Sequence, residues 1–515
     1  MEQSEINFYT GNITRGRTPL FRAAENGHEE VVRILLERSD VDTEAADEDG
    51  ITPLCVAAQY GHEGVVRALV ESSNASINTA DDMYGRTPLA WAAQIGQIEV
   101  VAILLQLNDV DPNIADTYGQ TPLFLAVESG HEDVVAMLIQ RNDVNPNKAD
   151  DGSQTPLCCA AENGFDGIVR ILVEQSAAEI NRAGPMNGQT PLAWAAKGGY
   201  SGIVRFLLEQ GDIDPDPADN CGRTPLWMAA SGGHESIVKM LLERNDVNPD
   251  PLDRNRETPL AVAALGGHEG VVRMLLERSD VNPNTALLFY GQTPLSLAAR
   301  WGREGVVIRL LERKDINPSM ADTELGRTPL LWAAWNMHVG VVRILLERND
   351  VNPEIADRSG QTPLCWAALN GDEATVKLLL ERGGIDPSRA GEKGQTPLFQ
   401  AAKKQNEEVM KILLGRGDVD PNTAREDGQT PLSWAARKGN ENVVRMLLGR
   451  NDLNLDTTDN SGQTPASWAA KNMHDGIAKL LRDRRDSAAR LHQVEPCSPE
   501  LLEISGPPSK RIRRS

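Results

Sequence analysis

The sequence predicts an all-α stack of repeated helix-turn-helix units. Two observations carry that expectation. The dipeptide Thr-Pro occurs fourteen times, from Thr18-Pro19 to Thr464-Pro465, and every step between neighbours is 34 or 35 residues. Downstream of each pair, apolar residues recur at helical spacing in two short runs separated by a turn. A fixed period of this length is the mark of stacked repeats, in which each unit packs only on its neighbours. A chain of 515 residues would ordinarily suggest several domains. Here it is expected to form one array over residues 15–486, with an N-terminal arm at 1–14 and a disordered basic tail at 487–515.

The unit is best seen from Gly428 to Arg450, GQTPLSWAARKGNENVVRMLLGR. Thr430 is placed to be a helix N-cap, and Pro431 at the first helical position needs no hydrogen bond and pre-sets φ. Leu432, Ala435 and Ala436 share one face of the first helix, with the small Ala pair allowing close approach. Gly439 breaks that helix. Val443, Val444, Leu447 and Leu448 then give the second helix an apolar face. That helix is expected to close on a left-handed cap at residues such as Asn142, Asn245, Asn349, Ser279 and Gly211. A linker of the Asp-Val-Asn-Pro-Asn kind follows, then a projecting polar turn. Two residues before each Thr, twelve of the fourteen copies carry Gly, while Ser153 and Arg256 replace it. A positive φ is expected there, so those two turns are expected to be strained.

The pattern T-P-L-x-x-A-A followed by G-H-E-x-V-V-R-x-L-L closely resembles the ankyrin repeat, over roughly residues 15–486. Two departures stand out. The His that usually follows Thr-Pro-Leu is replaced by Phe21, Cys55, Ala90, Trp227, Ser296 and others. The loop is one residue longer than usual and carries its own Pro, as at Pro112, Pro146 and Pro353. The wording is similar to that of fungal ankyrin arrays. The resemblance implies an all-α ankyrin solenoid of about fourteen units, with a concave groove lined by the residue before Ala-Ala and the two after it.

Composition narrows the function. The net charge of −22 disfavours nucleic acid. No long apolar run or signal peptide is present, so neither a membrane nor secretion is expected. Asn12-Ile13-Thr14 and Asn74-Ala75-Ser76 then read as chance matches to a glycosylation pattern. The six cysteines form no C-x-x-C pair, and Cys55, Cys158 and Cys365 share one position on the first helix, as small hydrophobes would. These features suit a monomeric protein of the cytoplasm, with the nucleus as the alternative.

Seven of the eight histidines (His28, His62, His131, His234, His268, His338 and His474) recur at the head of the second helix, the place of a structural device. Several open His-Glu-x-x, but Val32, Val66, Val135, Val238 and Val272 stand where a zinc site needs its second ligand. His492 has no partner in the sequence. No phosphate-binding loop and no nucleophile elbow appear. The expectation is no catalytic residue, no metal and no cofactor.

Binding is expected on the first-helix face. Trp91, Trp194, Trp332, Trp366, Trp434 and Trp468 precede Ala-Ala, off the buried stripe, and Trp301 and Trp335 lie just after it. Only Trp227 falls elsewhere. Tryptophan is costly to leave wet and common at binding hot spots. The same face changes charge along the chain, from Glu25, Glu128 and Glu162 to Lys197, Arg300, Lys403, Lys404, Arg437, Lys438 and Lys471. Repeats nine to fourteen are therefore expected to offer an aromatic and basic groove suited to an acidic, aromatic-anchored peptide. The competing reading is duplication, with the tryptophans packing on one another across repeats. The turn tips, variable at Met83-Tyr84, Thr117-Tyr118, Asn220-Cys221, Phe289-Tyr290 and Glu324-Leu325, are a second candidate surface.

The last unit deviates, with Ala466 in place of Leu and a polar end at Arg482-Asp483-Arg484-Arg485-Asp486, as a capping repeat requires. The tail closes on Lys510, Arg511, Arg513 and Arg514, which resembles a short nuclear-import signal; folding back onto the acidic repeats is the alternative. The functional expectation is a non-catalytic protein-interaction scaffold or adaptor. Its alternatives are a recognition module acting in trans with a switch protein, as in fungal immune-type systems, and a nuclear regulatory ankyrin protein.

Overall fold

A computed structural model describes residues 16–72, 76–184 and 187–492. The arm at 1–14, both glycosylation-like sites in part or whole, Cys497 and the basic run at Lys510, Arg511, Arg513 and Arg514 lie outside the described residues. The described residues hold 28 α-helices and no strand. They fall into two compact units divided between Glu324 and Leu325. The first unit holds nine helix pairs, from Pro19–Glu25 to Glu304–Glu312, and the second holds five, from Pro329–Trp335 to Asp475–His492. Within each unit, first helices pack on neighbouring first helices and second helices on second. The last helix continues to His492, past residue 486, where the sequence reading ends the array.

Every first helix starts as its Thr-Pro predicts. The Thr hydroxyl accepts the backbone N–H three residues on, as Thr430 does from Ser433 at 3.2 Å, and Pro fills the first turn in all fourteen copies. Leu432, Ala435 and Ala436 and their equivalents in the twelve copies before them are buried, whereas in the last copy Ala466 is half-buried and Ala470 exposed. Gly439 ends its helix at φ 79°, and a Cβ there would run into the His474 ring of the next repeat. Met337, Gln405 and Met473 take that left-handed place elsewhere, at φ 59–61°.

Second helices end differently from the sequence expectation. Their caps are Gln140, Glu209, Glu243, Glu277 and Glu347, all in right-handed helical conformation. Asn142, Asn245, Asn349, Ser279 and Gly211 do not adopt positive φ. The carbonyls left over at the ends capped by Glu209, Glu243, Glu277 and Glu347 are met by an arginine of the following repeat instead. Arg313 donates to the carbonyls of Leu276, Arg278 and Val281 at 2.9, 3.0 and 3.4 Å. Arg141 does the same for Leu105, Leu107 and Val110, and Arg450 for Leu414, Arg416 and Val419. Asp315, two residues on, holds the Arg313 fork from the other side at 2.9 and 2.7 Å. This ion pair keeps the carboxyl below its usual range and the guanidinium above its own. The repeated Arg-x-Asp was therefore a seam signal that pattern reading passed over.

Two further ladders cross the seams. Asn113 donates to the Asp143 carbonyl and accepts the Asn145 N–H, and Asn422 does likewise with Asp452 and Asn454. At the turn tips one backbone N–H reaches the previous tip's carbonyl, as Thr117 to Tyr84, Asp151 to Tyr118 and Asn460 to Asp427. Because main chain makes this contact, the tip side chains are free to vary. Tyr118, Phe289 and Tyr290 are exposed, while Tyr84 is half-buried with its ring edge-on to Trp91.

All twelve turn glycines have positive φ, and Ser153 and Arg256 are forced to φ 62° and 60°. Left-handed backbone costs an L-residue roughly 1–2 kcal/mol. Arg256 is exposed, so little packing is lost with its side chain. Arg256→Gly is expected to raise the urea midpoint of unfolding by an amount equivalent to about 1 kcal/mol. A lower midpoint would mean that the turn is not strained.

Candidate protein-binding face

The tryptophans before Ala-Ala are more internal than the sequence suggests. Trp91, Trp332 and Trp468 are buried, at 6, 3 and 8% exposure, and Trp194, Trp366 and Trp434 are half-buried. The reason is an aspartate in the preceding turn. Asp357 accepts the backbone N–H groups of Ser359 and Gln361, each at 3.0 Å, and its second oxygen accepts Nε1–H of Trp366 at 2.9 Å. Asp81 holds Trp91 in the same way at 3.0 Å, and Asp459 holds Trp468 at 2.6 Å. The indole satisfies the carboxylate and braces the projecting turn on the first helix. Pattern reading missed these aspartates, which recur five or six residues before Thr.

The second unit groups its aromatic rings in two places. Trp332, Trp335 and Trp366 form one cluster, with successive ring centroids 5.2 and 5.8 Å apart. Buried Arg327 stacks among them, its Cζ 4.9, 3.7 and 5.0 Å from the three rings, with Nε 3.5 Å from Asp357. A desolvated cation on aromatic faces contributes about 2 kcal/mol. Arg327 stands just before Thr, where Arg17, Arg86 and Arg223 also replace the commoner Gln. The second cluster sets Trp434 against Phe399 at 6.1 Å, with the Arg425 Cζ 5.1 Å from the Phe399 ring. Beside it, Arg437 and Lys471 flank Trp468 at 4.4 and 5.1 Å.

The cations themselves face outward. Lys403, Lys404, Arg437, Lys438 and Lys471 are all exposed. In the first unit, Arg300 is half-buried and bonds Gln292 at 3.3 Å, beside exposed Trp301 at 52%. Lys197 stacks on Trp194 at 4.5 Å. The face of the second unit is therefore a floor of packed rings, two of them hydrogen-bonded to aspartates, carrying exposed positive groups.

The histidines act across seams. Nε2 of His62, His131, His234 and His268 lies 3.0–3.2 Å from a carbonyl at the end of the previous repeat's first helix. Gln97, Arg303 and Asn406 make the same contact where His is absent. Cys55, Cys158, Cys159 and Cys365 are buried free thiols. Burial pushes Cys55 and Cys159 up to about 12 and Cys158 to about 11, and raises Cys365, so none is a ready thiolate.

A family model described as ankyrin repeats (three copies) matches seven overlapping stretches: 2–81, 74–150, 142–219, 211–286, 277–357, 349–424 and 398–490. The chain belongs to the ankyrin repeat family. Ankyrin repeats generally mediate protein–protein interaction and are typically non-catalytic. No curated protein matched this ankyrin chain. Among its described residues no helix is long and apolar enough to cross a membrane.

The Trp468 brace has a pH signature. Burial opposes the charged Asp459 carboxylate, but hydrogen bonds from the Gln463 backbone, the Trp468 indole and Ser461 outweigh it and hold the carboxyl below its usual range. Stability of this kind is present above the ordinary carboxylate range and is lost as pH falls through the depressed value. Trp468→Phe removes one of those bonds. The variant is expected to lose about 1–3 kcal/mol at neutral pH and to unfold at a higher pH on acid titration followed by circular dichroism. An acid midpoint identical to that of the parent would show that the indole bond does not hold the carboxylate.

Proposed function

We propose that this ankyrin protein is a non-catalytic scaffold or adaptor. On this reading it binds an acidic partner segment through the first-helix face of its second unit. The observation that carries the reading is the exposure of Lys403, Lys404, Arg437, Lys438 and Lys471 over a floor of bonded rings, on a chain whose net charge is −22. Arg437 and Lys471 are positioned by stacking on Trp468, so less side-chain freedom is lost when a carboxylate meets them. Partly exposed Trp366 and Trp434 offer apolar edges beside them. Trp468 thus supports recognition by holding two of the cations, whereas the sequence cast tryptophan and cation together as the contact surface.

Because Trp468 is structural, a test has to spare it. Arg437→Glu, Lys438→Glu and Lys471→Glu together reverse three exposed charges without touching the core. Peptides selected from a random display library on the full chain are expected to be rich in Asp and Glu next to an aromatic residue. Their affinity for the triple variant is expected to fall at least tenfold, about 1.4 kcal/mol, with the helical circular dichroism unchanged. Peptides without acidic enrichment, or equal affinity for the variant, would overturn the proposal.

A further inference from the structure

The ladder that joins the linkers changes chemistry in the middle of the first unit. In six copies its rung is an asparagine: Asn78, Asn113, Asn147, Asn181, Asn284 and Asn422. Each donates its side-chain NH₂ to a main-chain carbonyl of the next linker. Each also accepts the N–H of the residue two beyond that carbonyl. Between Asn181 and Asn284 the rung position holds Asp216 and Asp250 instead. Half of each rung survives, because Oδ2 of Asp216 accepts the Asn248 N–H and Oδ2 of Asp250 accepts the Asn282 N–H, both at 3.1 Å.

The other half is missing. Oδ1 of both aspartates is shielded from solvent and has no hydrogen-bond partner among the described residues. Buried polar groups are ordinarily satisfied, so a repeated exception needs a cause. The register of the ladder sets these oxygens where the other copies hold NH₂, toward the carbonyls of Asp246 and Asp280, two residues before Asn248 and Asn282. A carboxylate oxygen has no hydrogen to offer a carbonyl. A protonated carboxyl does, and it then matches the donor and acceptor of an asparagine amide.

We propose that Asp216 and Asp250 are a proton-operated latch on this ladder. As carboxylates they leave two successive rungs half made. A proton taken from solvent onto Oδ1 is donated in a hydrogen bond to the facing carbonyl, and both rungs close. Acid therefore tightens two neighbouring seams of the first unit, and neutral pH leaves them loose. The latch does not depend on the acidic partner proposed for the second unit.

The surroundings favour the proton. Burial acts most strongly and raises both carboxyls above their ordinary range. The carboxylates of Asp214 and Asp246 push Asp216 the same way, and that of Asp280 pushes Asp250. The Asn248 and Asn282 N–H groups and the Thr224 hydroxyl pull against them without prevailing. The arginines beside these linkers, Arg244 and Arg278, are taken up by Asp246 and Asp280 at 2.6 and 2.8 Å. A carboxyl raised by folding adds stability that is complete below the ordinary carboxylate range and is lost as pH rises through the raised value.

The test is amide exchange of the full chain, read by mass spectrometry over the peptides that carry Asn248 and Asn282 and corrected for the intrinsic effect of pH. The linker carrying Asn145, whose Asn113 rung does not titrate, is the internal reference. Relative to it, exchange at the two aspartate linkers is expected to be about fivefold slower in mild acid than at neutral pH, the effect of one added hydrogen bond. Asp216→Asn together with Asp250→Asn is expected to give the slow rate at both pH values. Asn113→Asp places the same chemistry in an intact rung and is expected to speed exchange at Asn145 at neutral pH but not in acid. Equal relative rates in the parent at the two pH values would overturn the proposal. So would a double variant that exchanges like the parent at neutral pH, or an Asn113→Asp effect that persists in acid.

Discussion

An isolated copy of this repeat cannot satisfy its own helix ends. Each short helix leaves carbonyls without an intrahelical partner, and here side chains of the next copy reach back for them. His62, His131, His234 and His268 meet the ends of first helices, and Arg141, Arg313 and Arg450 those of second helices. Asn113 and Asn422 join the linkers. The helices are mostly seven to ten residues long, too short to persist alone in water. Their stability comes from the seam. The seam also fixes the period, since a side chain of fixed length must find a carbonyl one repeat away. The first helix and the turn after it keep one length in every copy, and the steps of 34 and 35 residues differ in the stretch from the second helix to the next turn.

This economy divides each repeat's side chains between two tasks. Residues that look chemical in isolation are consumed by bracing: the histidines by carbonyls, three of the tryptophans by turn aspartates, and the Arg-x-Asp arginines by helix ends. What is left for recognition is the part of the first-helix face that no seam uses. In the second unit that remainder is largely Lys and Arg. Arg327 shows the division at one position: its guanidinium belongs to the same basic inventory, yet three indole rings enclose it and it serves the core. Charge counting along the sequence cannot separate Arg327 from Arg437; only the geometry of their neighbours does.

The fold was legible because its signals are local and repeated. Thr-Pro sets the N-cap within four residues, and glycine at a left-handed turn is required wherever it occurs. Even the strain at Ser153 and Arg256 could be read by comparing one copy with another. Contacts between one element and another were not legible in the same way. The Trp366–Asp357 bond joins a helix to a turn, and neither residue type declares the other. The left-handed caps expected at Gly211, Asn245 and Asn349 failed for the same reason, because Arg244, Arg278 and Arg382 of the next copy meet carbonyls at those helix ends. The sequence put tryptophans and late cations together on one face as joint contacts; the structure buries Trp91, Trp332 and Trp468 and leaves Lys403, Lys404, Arg437, Lys438 and Lys471 exposed.

On the proposed reading, a face built this way constrains its partner. Trp366 and Trp468 are held to turn aspartates by hydrogen bonds, so that part of the floor does not remodel at low cost, and the groups above it are long exposed cations. Each exposed ion pair with a partner carboxylate contributes only about 0–1 kcal/mol and weakens with salt. A single contact of that kind cannot give a stable complex. Three successive repeats presenting five such groups on one face can, provided the partner engages several at once, because later contacts form at high effective concentration. The geometry of the second unit therefore favours an extended acidic segment over a compact domain that touches one or two repeats. It also implies that removing any one lysine changes affinity little, while salt changes it steeply.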